Sequence, residues 1–279
     1  MDARKKSRGD RFREYHKRLL LRQGSLNEQC RPPQIFAVIT WGAAASWWLT
    51  AVLNDCPSVF CVHAQNTVWN RFGNADHLSG LEYLRIVGMQ GRAVDLAGDV
   101  HGVSRFDIPE IRDFFGDQFS AAVLVRDPLP RLRSMLALNL RRLTEGGALV
   151  DIGYIDAKFP DVVRMLPNGS PAERIFVHSA NMLNAIVEER EIGPIFRMED
   201  VVSKPKSLLQ LVQVLSGGRL EAPQDWAKAA MSRRIINRHS SSQSTPPFGD
   251  WENRVLRAIV SADAISAYEQ LGYDMAYFR

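Results

Sequence analysis

Ile35-Phe36-Ala37-Val38-Ile39-Thr40-Trp41-Gly42-Ala43-Ala44-Ala45-Ser46-Trp47-Trp48-Leu49 is the stretch that decides how this chain folds. Its first five residues form an unbroken apolar run rich in β-formers, the pattern of a strand buried on both faces. From Thr40 to Ser46 the residues are mostly small, which lets backbone approach closely, and a helix is predicted to follow with Trp48, Ala51 and Val52 marking its turns. A strand, a tight turn and a helix start together present backbone N–H groups to an anion, helped by the helix dipole. The turn lacks the Gly-x4-Gly-Lys-Ser/Thr pattern of a Walker loop. A tight turn with no ligand explains it about as well.

Working outward, Val59-Phe60-Cys61-Val62, Ala93-Val94-Asp95-Leu96-Ala97, Ala121-Ala122-Val123-Leu124-Val125 and Ile195-Phe196-Arg197-Met198 are further strand candidates. Helical patterns lie near residues 78–90, 108–116, 129–144, 171–190, 204–216, 225–237 and 250–271. The fourth has a recognisable start: Ser170 caps, Pro171 fits the first turn and Glu173 completes a capping box. Strand and helix in alternation predict an α/β fold with a central, mainly parallel sheet flanked by helices. Residues 31–279 are read as one such domain. Residues 1–30 form a basic arm, and the stretch from Ser240 to Pro247 is expected to be a loop.

Composition narrows the function classes. The 35 basic and 31 acidic residues leave a net charge of +4, and much of that excess sits in the arm, so charge gives no argument for nucleic acid. The arm reads as a solvated terminal segment, or as a peripheral contact with an acidic partner or membrane surface. No apolar stretch is long enough to span a membrane and no secretory signal precedes the domain, so a cytoplasmic protein is expected. Cys30, Cys56 and Cys61 have neither pairing nor metal spacing and are expected to be small buried hydrophobes in a reducing compartment.

A second chemistry-bearing stretch is Val125-Arg126-Asp127-Pro128-Leu129-Pro130-Arg131-Leu132-Arg133-Ser134-Met135. Arg126 leaves the end of a buried strand, and Ser134 follows eight residues later on a helix. The pair offers a guanidinium fork and a hydroxyl to one phosphate. Pairing of Arg126 with Asp127 or another acid is the alternative.

These two stretches resemble the sulfotransferases that use 3′-phosphoadenosine 5′-phosphosulfate. That family carries a 5′-phosphosulfate loop of the type Ser/Thr-Tyr-Pro-Lys-Ser-Gly-Thr-Thr-Trp-Leu, which residues 40–49 resemble, and an arginine and serine spaced as Arg126 and Ser134 are. Gly249-Asp250-Trp251 and Arg197-Met198-Glu199-Asp200-Val201 resemble two later family segments, in family order. The resemblance implies a three-layer, P-loop-like α/β fold and transfer of a sulfuryl group to a hydroxyl of a glycan, lipid or small metabolite. It implies no metal. Gly42, Ala43, Ala44, Ala45, Ser46, Trp47 and Trp48 would hold the donor, Trp48 lying against adenine, while Arg126 and Ser134 would grip its 3′-phosphate. His101 stands where the family has its basic histidine, with His63 in reserve.

The chain departs from the family at Ala43 and Asp99, where lysines are usual, and at Ala45, where glycine is usual. Ser244, Thr245 and Pro246 stand in place of a basic segment, with Arg238 and His239 as nearby stand-ins. Arg92, Arg105 and Arg131 are candidates to supply the missing charge. Two alternatives therefore stand beside the enzyme: a non-catalytic nucleotide-binding relative, and a P-loop kinase of small molecules, against which the missing Walker lysine argues.

Overall fold

A computed structural model describes residues 32–40, 45–63, 79–144, 152–233 and 248–279. The basic arm, residues 41–44 of the opening turn, and residues 234–247 lie outside the described residues.

Five strands form the sheet: β1 (Gln34–Ile39), β2 (Val59–His63), β3 (Leu96–Val100), β4 (Phe119–Val125) and β5 (Ile195–Arg197). They lie in the order β2-β3-β1-β4-β5, and every pairing is parallel. The fold is three-layer α/β, with helices on both faces of the sheet. The labelled helices are α1 (Ser46–Asp55), α2 (Gly80–Gln90), α3 (Ile108–Phe115), α4 (Pro128–Thr144), α5 (Ile152–Lys158) and α6 (Pro171–Asn181). After β5 come α7 (Met198–Ser203), α8 (Pro205–Leu215), α9 (Gln224–Ser232), α10 (Asp250–Ile259) and α11 (Ala262–Gln270).

Period-two alternation of the strands sorts their side chains between the two helical layers. Ile35, Ala37 and Ile39 of β1 join Val123 and Val125 of β4 in a core closed by Tyr83, Leu84, Ile111 and Phe176. Phe36, Val38, Leu96 and Leu124 face the other way, onto Leu49, Val52 and Leu53 of α1 and Leu208 and Leu211 of α8. Burying each such side chain contributes about 1.5–3 kcal/mol. The unbroken apolar runs at 35–39 and 121–125 are the consequence: a strand covered on both faces takes a polar residue only where a partner satisfies it.

Three expectations are corrected. β3 runs three residues later than predicted, over Leu96–Val100, because residues 92–95 belong to the turn after α2. It holds a glycine and a buried aspartate. Gly98 lies opposite Phe36 of β1, and a Cβ there would meet the Phe36 carbonyl oxygen at 2.2 Å. The predicted helix over 171–190 ends at Asn181 and passes through a 3-10 turn, Met182–Ala185, into a short helix, Ile186–Glu189. The predicted helix over 250–271 is two helices, broken at Val260 and restarted by Ser261, whose hydroxyl accepts from the Ala264 N–H at 3.1 Å. Asn184 links these two irregularities, donating to the Ile259 carbonyl at 2.8 Å and accepting from the Ser261 N–H at 2.9 Å. The capping box at Ser170 and Glu173 forms as expected.

Cys56 and Cys61 are buried and free, as expected; burial pushes the Cys56 thiol up to about 12 and Cys61 well up, with Asp99 adding to the latter. Among the described residues no helix is long and apolar enough to cross a membrane.

Candidate functional site

β1 is central, and the chain leaves it toward β2 on one side but leaves β4 toward β5 on the other. In an open parallel sheet, ligands sit beyond the carboxyl ends of the strands where the order reverses. That point is the junction of β1 and β4, and both candidate stretches emerge there.

Ala45 precedes α1 with φ 54 and ψ 26, in the left-handed region that glycine favours. An alanine in this conformation carries about 1 kcal/mol of strain. Among the described residues no side chain caps α1 and its first turn holds no acid, so its leading amide groups have no intrahelical acceptor and no carboxylate in that turn. The Thr40 hydroxyl, 5 % exposed, has no hydrogen-bond partner among the described residues.

His101 follows β3 at φ 74, a second strained position. Its main-chain N–H donates to the Val38 carbonyl at 3.0 Å, and its Nδ1 donates to the Thr40 carbonyl. A carbonyl can only accept, so Nδ1 carries a proton, and whenever the ring is neutral its lone pair lies at Nε2. Asp99 supports this turn from within. It is fully buried and accepts from the Tyr83 hydroxyl at 2.6 Å and from the Gly102 N–H.

His63, at the end of β2, is drawn to the same place. Asn54 of α1 donates to the Cys61 carbonyl at 2.6 Å and accepts from the Cys61 N–H at 2.9 Å, clamping α1 against the edge strand. Two residues on, His63 Nε2 lies 2.9 Å from the Ser46 hydroxyl. Its ring stacks on Trp47 with centroids 4.1 Å apart and stands 5.9 Å from the His101 ring.

On the far side of β1, Arg126 is half-buried directly beyond β4. Burial pushes its guanidinium down, while Glu199 and then Asp127 pull it back up. Asp127 caps α4 by accepting from the Leu129 N–H at 3.1 Å; burial raises its carboxyl. Glu199 latches the junction, accepting from the Asp127 N–H at 3.0 Å and from the Tyr273 hydroxyl at 2.7 Å. Ser134 is half-buried in the second turn of α4.

The structure thus brings Ser46, Trp47 and His101 together, adds His63, and sets Arg126 and Ser134 on the neighbouring junction. Gly42, Ala43 and Ala44 lie outside the described residues, as do Arg238, His239 and residues 244–246. Trp48 is corrected: it is 1 % exposed in the core and its indole N–H donates to the Arg233 carbonyl at 3.2 Å, so it offers no face to a base. Trp47, among the residues expected to hold the donor, is half-buried and stacked on His63. Gly249 is the N-cap of α10, and Trp251 packs edge-on against Phe176 at 5.2 Å. Two of the three arginine stand-ins are engaged elsewhere, and the third lies away in a turn. Arg105 pairs with Glu188 at 2.6 Å, buried Arg131 donates to the Tyr268 hydroxyl at 3.0 Å, and Arg92 is exposed in the turn before β3. Sequence reasoning missed Glu199 as a latch and the Ser46–His63 bond; no local spacing signals either.

Among the described residues no group of three or more His, Cys, Asp or Glu side chains could hold a metal ion. No family model and no curated protein matches the chain. Among solved structures, the crystal structure of a sulfotransferase from Alicyclobacillus acidocaldarius aligns over 89 % of this chain and 99 % of that one, at 13 % identity and a TM-score of 0.44, a likeness too loose to assign an activity.

Proposed function

We propose that this chain is a sulfotransferase whose donor, 3′-phosphoadenosine 5′-phosphosulfate, lies across the carboxyl ends of β1, β3 and β4. The observation that carries this reading is His101: a histidine whose tautomer is set by the Thr40 carbonyl, standing beside a helix N-terminus with no cap of its own. An imidazole with its lone pair at Nε2 is a general base, and an uncapped helix start favours an anion. The acceptor oxygen, from a glycan, lipid or small metabolite, forms a new bond to sulfur as its proton passes to His101 Nε2. The bond from sulfur to the bridging oxygen breaks, and its electron pair stays on the 5′-phosphate, where the α1 amides and Ser46 receive the growing charge. Arg126 and Ser134 hold the 3′-phosphate.

One observation favours a second reading, nucleotide binding without transfer. Two of the arginines that could replace the missing lysines are tied to Glu188 and Tyr268. Transfer of labelled sulfate from the donor to a panel of hydroxyl acceptors separates the two. The wild type should form labelled product, and His101→Asn, whose amide can still donate to the Thr40 carbonyl, should be slower by about 10²–10⁴-fold. Donor turnover that is equal in both proteins would remove His101 from the chemistry. Tight donor binding with no product for any acceptor would favour the second reading.

A further inference from the structure

Ser46 and His63 come from separate elements, the start of α1 and the end of β2, and meet at 2.9 Å with 8 % and 4 % exposure. A serine hydroxyl has one proton, and the imidazole decides where it points. If Nε2 is unprotonated it takes that proton, and Ser46 then offers only lone pairs to its surroundings. If Nε2 carries hydrogen it donates to Oγ, and the hydroxyl proton is left for another acceptor. A phosphate oxygen can only accept. An anion at the start of α1 therefore selects one order: His63 Nε2–H to Ser46 Oγ, and Ser46 O–H to the anion.

We infer that His63 is a positioning residue, which turns the Ser46 hydroxyl toward the 5′-phosphate group of the donor. This rests on the donor site proposed above. It gives the two histidines opposite polarity although their rings stand 5.9 Å apart. His101 is held with hydrogen at Nδ1 by a carbonyl, so its Nε2 takes a proton; His63 presents hydrogen at Nε2. Stacking on Trp47 and the Asn54 clamp on Cys61 fix the His63 ring for this task. A proton-donating hydroxyl at the leaving phosphate also offsets part of what Ala43 and Asp99 lack as replacements for lysine.

Two ligands that differ only at the 5′ end test this: adenosine 3′,5′-bisphosphate and adenosine 3′-monophosphate, titrated calorimetrically into the full chain. His63→Phe keeps a stacking ring but removes the donor. It should weaken the bisphosphate about tenfold or more, the worth of a hydrogen bond to a charged group, and leave the monophosphate within about threefold. His63→Gln, whose amide nitrogen reaches where Nε2 stood, should restore most of the affinity, and the shorter His63→Asn should not. Ser46→Ala should show the same selective loss, and adding His63→Phe to it should weaken binding no further. If His63→Phe fails to fold, the Gln, Asn and Ser46→Ala proteins carry the comparison. Equal weakening of both ligands, unchanged binding of both, or losses that add would overturn the inference while leaving the donor site standing. Failure of the wild type to bind the bisphosphate would remove both.

Discussion

Glu199→Ala should loosen the β4–β5 junction that presents Arg126. Glu199 lies at the second position of α7, and its two carboxylate oxygens hold different segments: the Asp127 N–H at 3.0 Å and the Tyr273 hydroxyl at 2.7 Å. Hydrogen bonds to a charged acceptor contribute about 1.5–3 kcal/mol each. Tyr273 is buried and keeps a second acceptor, the Val125 carbonyl at 3.1 Å, so its share belongs at the low end. Asp127 has no such substitute for its N–H among the contacts of this junction. The expected loss is about 3 kcal/mol, more than a hundredfold in the folding equilibrium. Urea unfolding of the wild type, Glu199→Ala, Tyr273→Phe and the double variant reads it, and the cycle should show a coupling of about 1 kcal/mol. A loss under about 0.5 kcal/mol for Glu199→Ala, or single losses that add, would refute the latch.

Two further outcomes follow from strain and burial. Ala45→Gly relieves a left-handed alanine and should raise stability by about 1 kcal/mol, read as a higher urea midpoint; a lower midpoint would count against strain at that turn. Glu189 is 1 % exposed, and burial pushes its carboxyl up to about 7, against the pull of Arg131 and then Arg105. From the ordinary carboxyl value of 4.5 up to about 7, the unfolded chain releases this proton while the folded chain keeps it. Stability should therefore fall as pH rises through that window, by about 3 kcal/mol in all, and level off above it. Glu189→Gln should remove that slope, and an unchanged slope in the variant would place its origin elsewhere.

What the sequence shows and hides follows from where each signal is stored. The runs at 35–39 and 121–125 are legible because burial on both faces leaves its mark within five consecutive residues. β3 is half-legible. Gly98 and Asp99 look like strand breakers, yet the first is required by the Phe36 backbone across the sheet and the second is satisfied by Tyr83 from α2. His101 is found from its place after a strand and from family likeness, but the carbonyl that sets its tautomer lies 61 residues away. Trp48 shows the opposite failure. Matching a family tryptophan outweighed the helical spacing Trp48-Val52, which already marked a core face. His63 stood in reserve because nothing near it in sequence announces Ser46, 17 positions earlier.

The proposed nucleotide site depends on Arg126 gripping a 3′-phosphate. Calorimetry of adenosine 3′,5′-bisphosphate against 5′-AMP, on the wild type and Arg126→Ala, measures it directly. A clear preference for the bisphosphate is expected in the wild type, and its disappearance in the variant. Equal affinity for the two nucleotides in the wild type, or a preference that survives without the guanidinium, would contradict it.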